Sequence, residues 1–213
     1  MSDLTAIDIL INPDENTVER ARAFNARLRQ SVPSGFELDA THLPHITILQ
    51  RYVRTADLEK VYEAIQKTIA ETDMSLLKFR AVAIKHADWV IPGQGYLTVY
   101  SAKPSPEVID FQAKLITTVK PFVEPGGTAA AYVTNTSDPE INQATLTYVE
   151  QYVPNSSGSN YIAHVTLGFA TLDDLKTIET EPFNEFDIDP ANIAVFHLGN
   201  NGTARKELKS FTF

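Results

Sequence analysis

Two short stretches of the chain carry the same phrase. Pro44-His45-Ile46-Thr47-Ile48 and Ala163-His164-Val165-Thr166-Leu167 each set a histidine, an aliphatic residue, a threonine and a second aliphatic residue in order, in a chain with only five histidines. Side chains alternate across an extended strand. His45 therefore shares a face with Thr47, and His164 with Thr166, while Ile46, Ile48, Val165 and Leu167 point into the core. An imidazole titrates near neutrality and can accept or donate a proton. Two of them meeting across a cleft place a base on one side of a reacting atom and an acid on the other. The threonine hydroxyls can donate to oxygens on which charge develops. In-line displacement at the phosphorus of a phosphodiester uses that set, and it calls for no metal and no cofactor.

The elements that hold these stretches recur in one order. LTAIDILI reads as a strand, and ENTVERARAFNARLRQ, opened by Pro13 and Asp14, as a helix with Val18, Ala21, Phe24 and Leu28 on one face. LPHITILQRYV is a strand, followed by the helix TADLEKVYEAIQKTIAE with Leu58, Tyr62, Ile65 and Ile69 at helical spacing. LLKFRAVAIKH and GYLTVYSA are further strands, with a turn at PGQG before the second. The second half repeats the order: the helix SPEVIDFQAKLITTVKPF, with Val108, Phe111, Leu115, Val119 and Phe122 on a stripe, the strand YIAHVTLGFA, the short helix TLDDLKTIE, and the closing strands ANIAVFHLGN and ELKSFTF. Thr55 and Thr171 stand where helix caps are expected, each with Asp in the following turn. This internal repeat predicts an α+β domain spanning residues 1–213. It would have two pseudo-symmetric lobes, roughly 1–105 and 106–213, each an antiparallel sheet with outer helices, around a central cleft.

The segment 124–160 breaks the parallel. It is rich in Gly, Ala, Thr, Ser and Asn, with a helix expected around DPEINQATLTYVEQYV and Pro139 at its start. A solvated excursion is preferred to a flap over the site.

Composition narrows the partners. With 27 Asp and Glu against 18 Lys and Arg, the formal charge of −9 opposes binding of long polyanions, though a local basic spot for one or two phosphates is compatible with it. The absence of cysteine excludes disulfides, thiolate metal sites and cysteine nucleophiles. MSDLTAIDIL lacks a basic region followed by a long apolar segment, and no run approaches the ~20 apolar residues of a membrane span. A soluble cytoplasmic monomer without membrane partners is expected. Three glycosylation sequons, at Asn135, Asn155 and Asn201, carry no weight without secretion.

Other residues carry weaker signals. Arg51 has the strand parity of His45 and Thr47 and would assist a phosphate at the cleft edge. Tyr96 and Tyr100 share a face with Thr98 and suit stacking on a base, although core packing is the commoner role for such aromatics; Trp89 suits stacking or packing alike. His42, His86 and His197 read as surface or hydrogen-bonded structural residues, and no carboxylates at ligand spacing join the histidines into a metal site.

With both motifs and the helix starts that follow them in view, the chain resembles the 2H phosphoesterase superfamily. That group includes RNA 2′,3′-cyclic phosphodiesterases, the so-called 2′-5′ RNA ligases and cyclic nucleotide phosphodiesterases. HITI and HVTL match its two His-x-(Thr/Ser)-aliphatic motifs, and the order of elements matches over most of the chain. The resemblance implies a bilobal pseudo-symmetric fold, His45 as general acid, His164 as general base, and Thr47 and Thr166 on the phosphate. Its substrate would be a small nucleotide or a short RNA end with a cyclic phosphate. Two departures leave the substrate open: Ala163 stands where many relatives have proline, and segment 124–160 is longer than in compact members. Cleavage or ligation of 2′-5′ linkages is the alternative activity, and a nucleotide- or RNA-end-binding module without turnover the alternative class.

Overall fold

The computed structural model describes residues 3–91, 95–136 and 138–213. The chain runs β1 (Leu4–Pro13), α1 (Glu15–Ser31), β2 (Ile46–Arg54), α2 (Leu58–Ala70), β3 (Phe79–Ile91), β4 (Gly95–Pro104) and α3 (Pro106–Val119). It continues through α4 (Gln143–Glu150), α5 (Tyr152–Ser156), β5 (His164–Ala170), α6 (Leu172–Ile178), β6 (Phe186–Ile188), β7 (Pro190–Leu198) and β8 (Ala204–Phe211). The fold class is α+β. Two antiparallel four-stranded sheets have the orders β2-β1-β7-β8 and β5-β4-β3-β6.

These orders superimpose the sheets strand for strand: β2 on β5, β1 on β4, β7 on β3. The lobes are therefore not the halves of the chain divided near residue 105. Each sheet takes two strands from each half, because β5 and β6 of the second half pair with β4 and β3, and β7 of the second half pairs with β1 and carries β8 with it. The helices cross over as well, with α1 packing on β5 and α3 on β2. One continuous core runs through both sheets, with Ile7, Ile9, Ile46, Ile48, Phe111, Leu115, Val165 and Leu167 all fully buried.

The apolar stripes meet expectation in α2, where Tyr62, Ile65 and Ile69 are buried, and in α3, where Val108, Phe111, Leu115 and Val119 are. In α1 the buried set is Thr17, Ala21, Asn25 and Leu28. Thr171 caps α6, accepting from the Asp174 amide. Thr55 does not cap α2: it begins a 3-10 turn, and its hydroxyl bonds that of Thr5 across to β1. The helix expected to begin at Pro139 starts at Gln143 instead, with Asn142 as its cap. The strand β6 has no counterpart in the sequence reading. The turn expected at Pro92-Gly93-Gln94 lies outside the described residues.

Two buried amides tie this crossed architecture together. Both His-x-Thr strands bulge three residues beyond their histidine. Leu10 pairs with Thr47 but Ile9 with Leu49; Val99 pairs with Thr166 but Thr98 with Gly168. A bulge turns a carbonyl out of the ladder, and each of these carbonyls is met by a helix of the other repeat. Asn25 of α1 donates to Leu167 O at 2.8 Å and to Phe36 O at 3.0 Å, and accepts from the Leu38 amide at 3.1 Å. Gln112 of α3 donates to Ile48 O at 2.9 Å and to Ser156 O at 3.3 Å, and accepts from the Gly158 amide at 3.0 Å. Each amide thus clamps one bulge together with the segment leading into the opposite motif strand. Gly168 has φ +140, and a Cβ there would stand 2.8 Å from Asn25 Nδ2, so the second bulge needs glycine on both counts.

Asn25→Leu and Gln112→Leu keep approximate volume but remove the side-chain partners of the Leu38 and Gly158 amides and of the bulge carbonyls, of which Ile48 O keeps the Tyr152 hydroxyl at 3.3 Å. Each should lower the unfolding free energy by about 1–3 kcal/mol per group left unsatisfied, read as a fall in the denaturant midpoint at constant slope. Unchanged midpoints in both would show that the clamps do not hold the bulges.

Candidate active site

A cavity of about 610 Å³ opens where the two motif strands approach, and His45, Thr47, His164 and Thr166 all line it. The strand geometry accounts for this: Ile46, Ile48, Val165 and Leu167 are fully buried in the core, so their neighbours face outward into the cleft. Both imidazoles are oriented by the same device. His45 Nδ1 lies 2.7 Å from Leu43 O, and His164 Nδ1 lies 2.9 Å from Ile162 O. A carbonyl only accepts, so Nδ1 carries the proton in each ring and Nε2 is left for chemistry. Burial holds both imidazoles below the usual histidine value, opposed by the carbonyl bond, and the His45 charge depresses His164 further. Both are therefore neutral at pH 7.

Beneath the first motif lies a fully buried carboxyl group, Asp8 of β1. Its Oδ2 accepts from Thr47 Oγ1 at 2.9 Å and from Gln50 Nε2 at 3.0 Å, and stands 3.9 Å from His45 Nε2. Its Oδ1 is buried with no hydrogen-bond partner among the described residues, as is Gln50 Oε1. Desolvation pushes the Asp8 carboxyl up to about 7, against the bonds from Gln50 and Thr47. A protonated carboxyl also relieves the cost of a buried carboxylate oxygen that nothing donates to.

The second half of the site lacks this group. Asp8 pairs with Gln50, five residues past His45, and the matching pair is Leu97 with Phe169, five residues past His164. Leu97 and Phe169 line the cavity themselves. Thr47 and Thr166 consequently differ. The Thr47 hydroxyl is engaged by Asp8, whereas Thr166 has no side-chain hydrogen bond among the described residues.

The segment 124–160 is not a solvated excursion. Ala131, Tyr132, Val149 and Tyr152 are buried, with Tyr52 and Tyr132 joined through their hydroxyls at 2.6 Å. Asp138, Thr145 and Tyr148 form part of the cavity wall. Asp138 also holds Arg205, another lining residue, at 3.1 Å, which brings a guanidinium into a site on an acidic chain.

The remaining candidates fall elsewhere. The bulge reverses strand parity after Thr47, so Gln50 rather than Arg51 reaches the cavity. Arg51 is half-buried outside it, near the charge of Glu150. Tyr100 is a core residue packed on Phe24, Phe183 and Phe186, with its hydroxyl on Arg20 O, and Tyr96 meets His86 edge-on; neither lines the cavity. The Trp89 side chain lies outside the described residues. His86 bonds Glu179, and His197 bonds Ala131 O. His42 does line the cavity, stacked on Phe36 at 5.2 Å. It precedes β2, so strand parity does not govern it. Among the described residues no three His, Cys, Asp or Glu side chains gather as a metal site requires, and no helix is long and apolar enough to cross a membrane.

A more open depression of about 740 Å³ lies between Gln66 and Phe213, away from both motifs, and its Lys78 and Asp189 are paired with each other at 2.9 Å.

No protein-family model and no curated protein matches the chain. Among solved structures it is similar to E.coli LigT complexed with phosphate, at TM-score 0.46 and 12% identity over 100% of this chain and 99% of that one. E.coli LigT complexed with ATP gives 0.45 and 14% over 100% and 99%, and a structure described as a phosphoesterase gives 0.45 and 12% over 98% of each chain. Each is a similarity at an identity too low to transfer an activity.

The Asp8 environment has a consequence for stability. A carboxyl raised in the folded state keeps its proton where the unfolded chain has lost it, so stability falls as pH rises between the two values and levels off above the higher. Asp8→Asn removes that dependence. Its melting temperature relative to the parent should rise from pH 4 to about pH 7 and stay constant beyond, a difference of about 4 kcal/mol at full extent. A difference independent of pH would mean that Asp8 titrates as an ordinary surface carboxylate.

Proposed function

We propose that the chain is a metal-independent phosphodiesterase of the 2H type, opening 2′,3′-cyclic phosphates or related cyclic nucleotides. The observation that carries this reading is the convergence of two His-x-Thr strands, distant in sequence, on one cavity, each imidazole tethered through Nδ1 to the carbonyl two residues before it. With a cyclic phosphate between the rings, His164 Nε2 takes a proton from water as the oxygen attacks phosphorus. The bond from phosphorus to one ribose oxygen breaks, and His45 Nε2–H protonates that leaving oxygen. Solvent then removes the proton from His164 and restores that of His45. The acid and base roles come from the family resemblance.

The rest of the cavity suits such a substrate. Its volume falls within the range of small-molecule sites. Thr166 has a hydroxyl to give to a non-bridging oxygen, and Arg205, shared with Asp138, adds guanidinium donors to the lining. Phe36, His42 and Phe169 form an aromatic wall on which a base can stack. The net charge of −9 favours a mononucleotide or a short RNA end over a long strand.

Incubation with 2′,3′-cyclic mononucleotides in EDTA tests the reading directly, with 2′-5′ linked dinucleotides and RNA bearing a cyclic end in parallel. Turnover should follow a bell-shaped pH dependence of kcat/KM and collapse in His45→Ala and in His164→Ala. Binding without turnover would make the chain a binding module, and turnover confined to 2′-5′ linkages would replace the substrate class. Because the Thr47 hydroxyl is already held by Asp8, Thr166→Ala should cost the larger factor, about 10²-fold, and Thr47→Ala less. Equal losses would show that both hydroxyls serve the phosphate alike.

A further inference from the structure

Two neutral imidazoles make an incomplete acid–base pair, because one must arrive at the reaction protonated. Pseudo-symmetry gives both the same tether, so the tethers cannot decide which. The difference lies one layer below. At matching positions in the two sheets stand Asp8 with Gln50 and Leu97 with Phe169. Only the first pair is polar, and among the described residues only His45 has a buried carboxyl within 3.9 Å of Nε2.

We propose that Asp8 is a positioning residue that reserves the acid role for His45, the buried carboxyl and the imidazole holding between them one proton that the His164 half lacks. The inference rests on the phosphodiesterase reading and extends it. In the free protein desolvation lifts the carboxyl to about 7, so near neutral pH it holds the proton for a large share of the time. When an anionic phosphate enters, a positive charge on His45 gains a partner on each side. The 3.9 Å between Oδ2 and Nε2 must first close to hydrogen-bond distance; the proton then passes from Asp8 to Nε2, and the carboxylate left behind keeps its bonds from Thr47 and Gln50. Nε2–H passes that proton to the leaving oxygen, and solvent returns one to the Asp8–His45 pair after release of product.

The groups around Asp8 fit this role. From β2 come Thr47 and Gln50, and from the residue just before it His45. From β7 comes Phe196, its partner in register. From α4, α5 and the segment before β5 come the phenols of Tyr148, Tyr152 and Tyr161. Burial and the Asp8 charge hold all three above the usual tyrosine value, so they stay neutral. Tyr161 and Tyr152 spend their hydroxyls on Thr47 O and Ile48 O. No Lys or Arg side chain bonds to Asp8 among the described residues. His45 is thus the one group beside Asp8 that can become a cation.

Asp8→Asn is the decisive variant, since the amide keeps an acceptor for Thr47 and Gln50 but cannot share a proton. The alkaline limb of kcat/KM should move toward acid by roughly one to three pH units, and a substrate whose leaving group needs no protonation should restore most of the lost rate. A uniform loss at every pH, with the profile unmoved and no rescue, would reduce Asp8 to a structural role and overturn the proposal. Imidazole titration by NMR in the unmodified protein gives a readout that needs neither turnover nor the variant's folding. His45 should titrate in two coupled steps and His164 in one; single steps for both would overturn the proposal as well. Loss of all turnover in the unmodified protein would instead remove the phosphodiesterase reading and leave the NMR result to stand on its own.

Discussion

The hydrogen bonds from two buried amides to two bulge carbonyls are what the rest of the structure depends on. A strand that faces a cleft with one side and a core with the other must turn its polar face once to build a floor as well as a wall. The bulges after Thr47 and Thr166 make that turn, bringing Gln50 and Phe169 into line with the histidines. Each bulge strands a carbonyl in the core, where an unpaired polar group is costly. Asn25 and Gln112 satisfy those carbonyls from helices of the opposite repeat. The same amides fix the loops at Phe36–Leu38 and Ser156–Gly158 that deliver the chain to each motif. The geometry of one half-site is thus set by the helix of the other.

That interlocking bears on how the sequence reads. The two motifs, the α+β class and most apolar stripes are visible because they follow periodicities of two and of 3.6 residues. The cavity is populated by the four residues that alternation selects. Alternation fails at one place, the bulge, and Arg51 was assigned to the cleft by a parity that stops holding after Thr47. Tyr96 and Tyr100 miss the cavity for a simpler reason: β4 runs without an extra residue opposite the β5 bulge, and plain alternation turns Leu97, not the tyrosines, toward the cavity. Asp8 was in view as a lone acid inside LTAIDILI, an apolar strand, and Gln50 as a polar residue inside ITILQRYV. Each was an unexplained polar group in a core strand, the kind of local conflict that marks function. The lobe boundary was not legible, because strand exchange between repeats leaves no trace in hydrophobic pattern.

Segment 124–160 shows the limit of composition as a guide. Its Gly, Ser, Thr and Asn suggested solvation, but those residues cap and turn a wall whose few aromatics do the packing. Tyr132, Tyr152 and Val149 anchor it, while Asp138 and Asn142 fix its turns against Arg205, Asn200 and Asn201. A wall built this way brings Tyr148 and Thr145 to the cavity and keeps the phenols over Asp8 neutral.

Those features meet in one electrostatic problem. Shutting water out of a site strengthens each interaction with a reacting phosphate, yet the same desolvation pushes imidazoles toward neutrality. The acidic surface cannot correct this at a distance, since exposed charges more than ~8 Å away are screened at physiological salt. A correction must come from inside, from a group close enough to act through a low dielectric and itself reluctant to be charged alone. A buried carboxyl meets both conditions. Desolvation lifts its titration to about 7, and in the proposed role it gives up its proton as a cation forms on the imidazole 3.9 Å away. Placing one such group behind one of two matched histidines divides their labour without altering the symmetry of the fold.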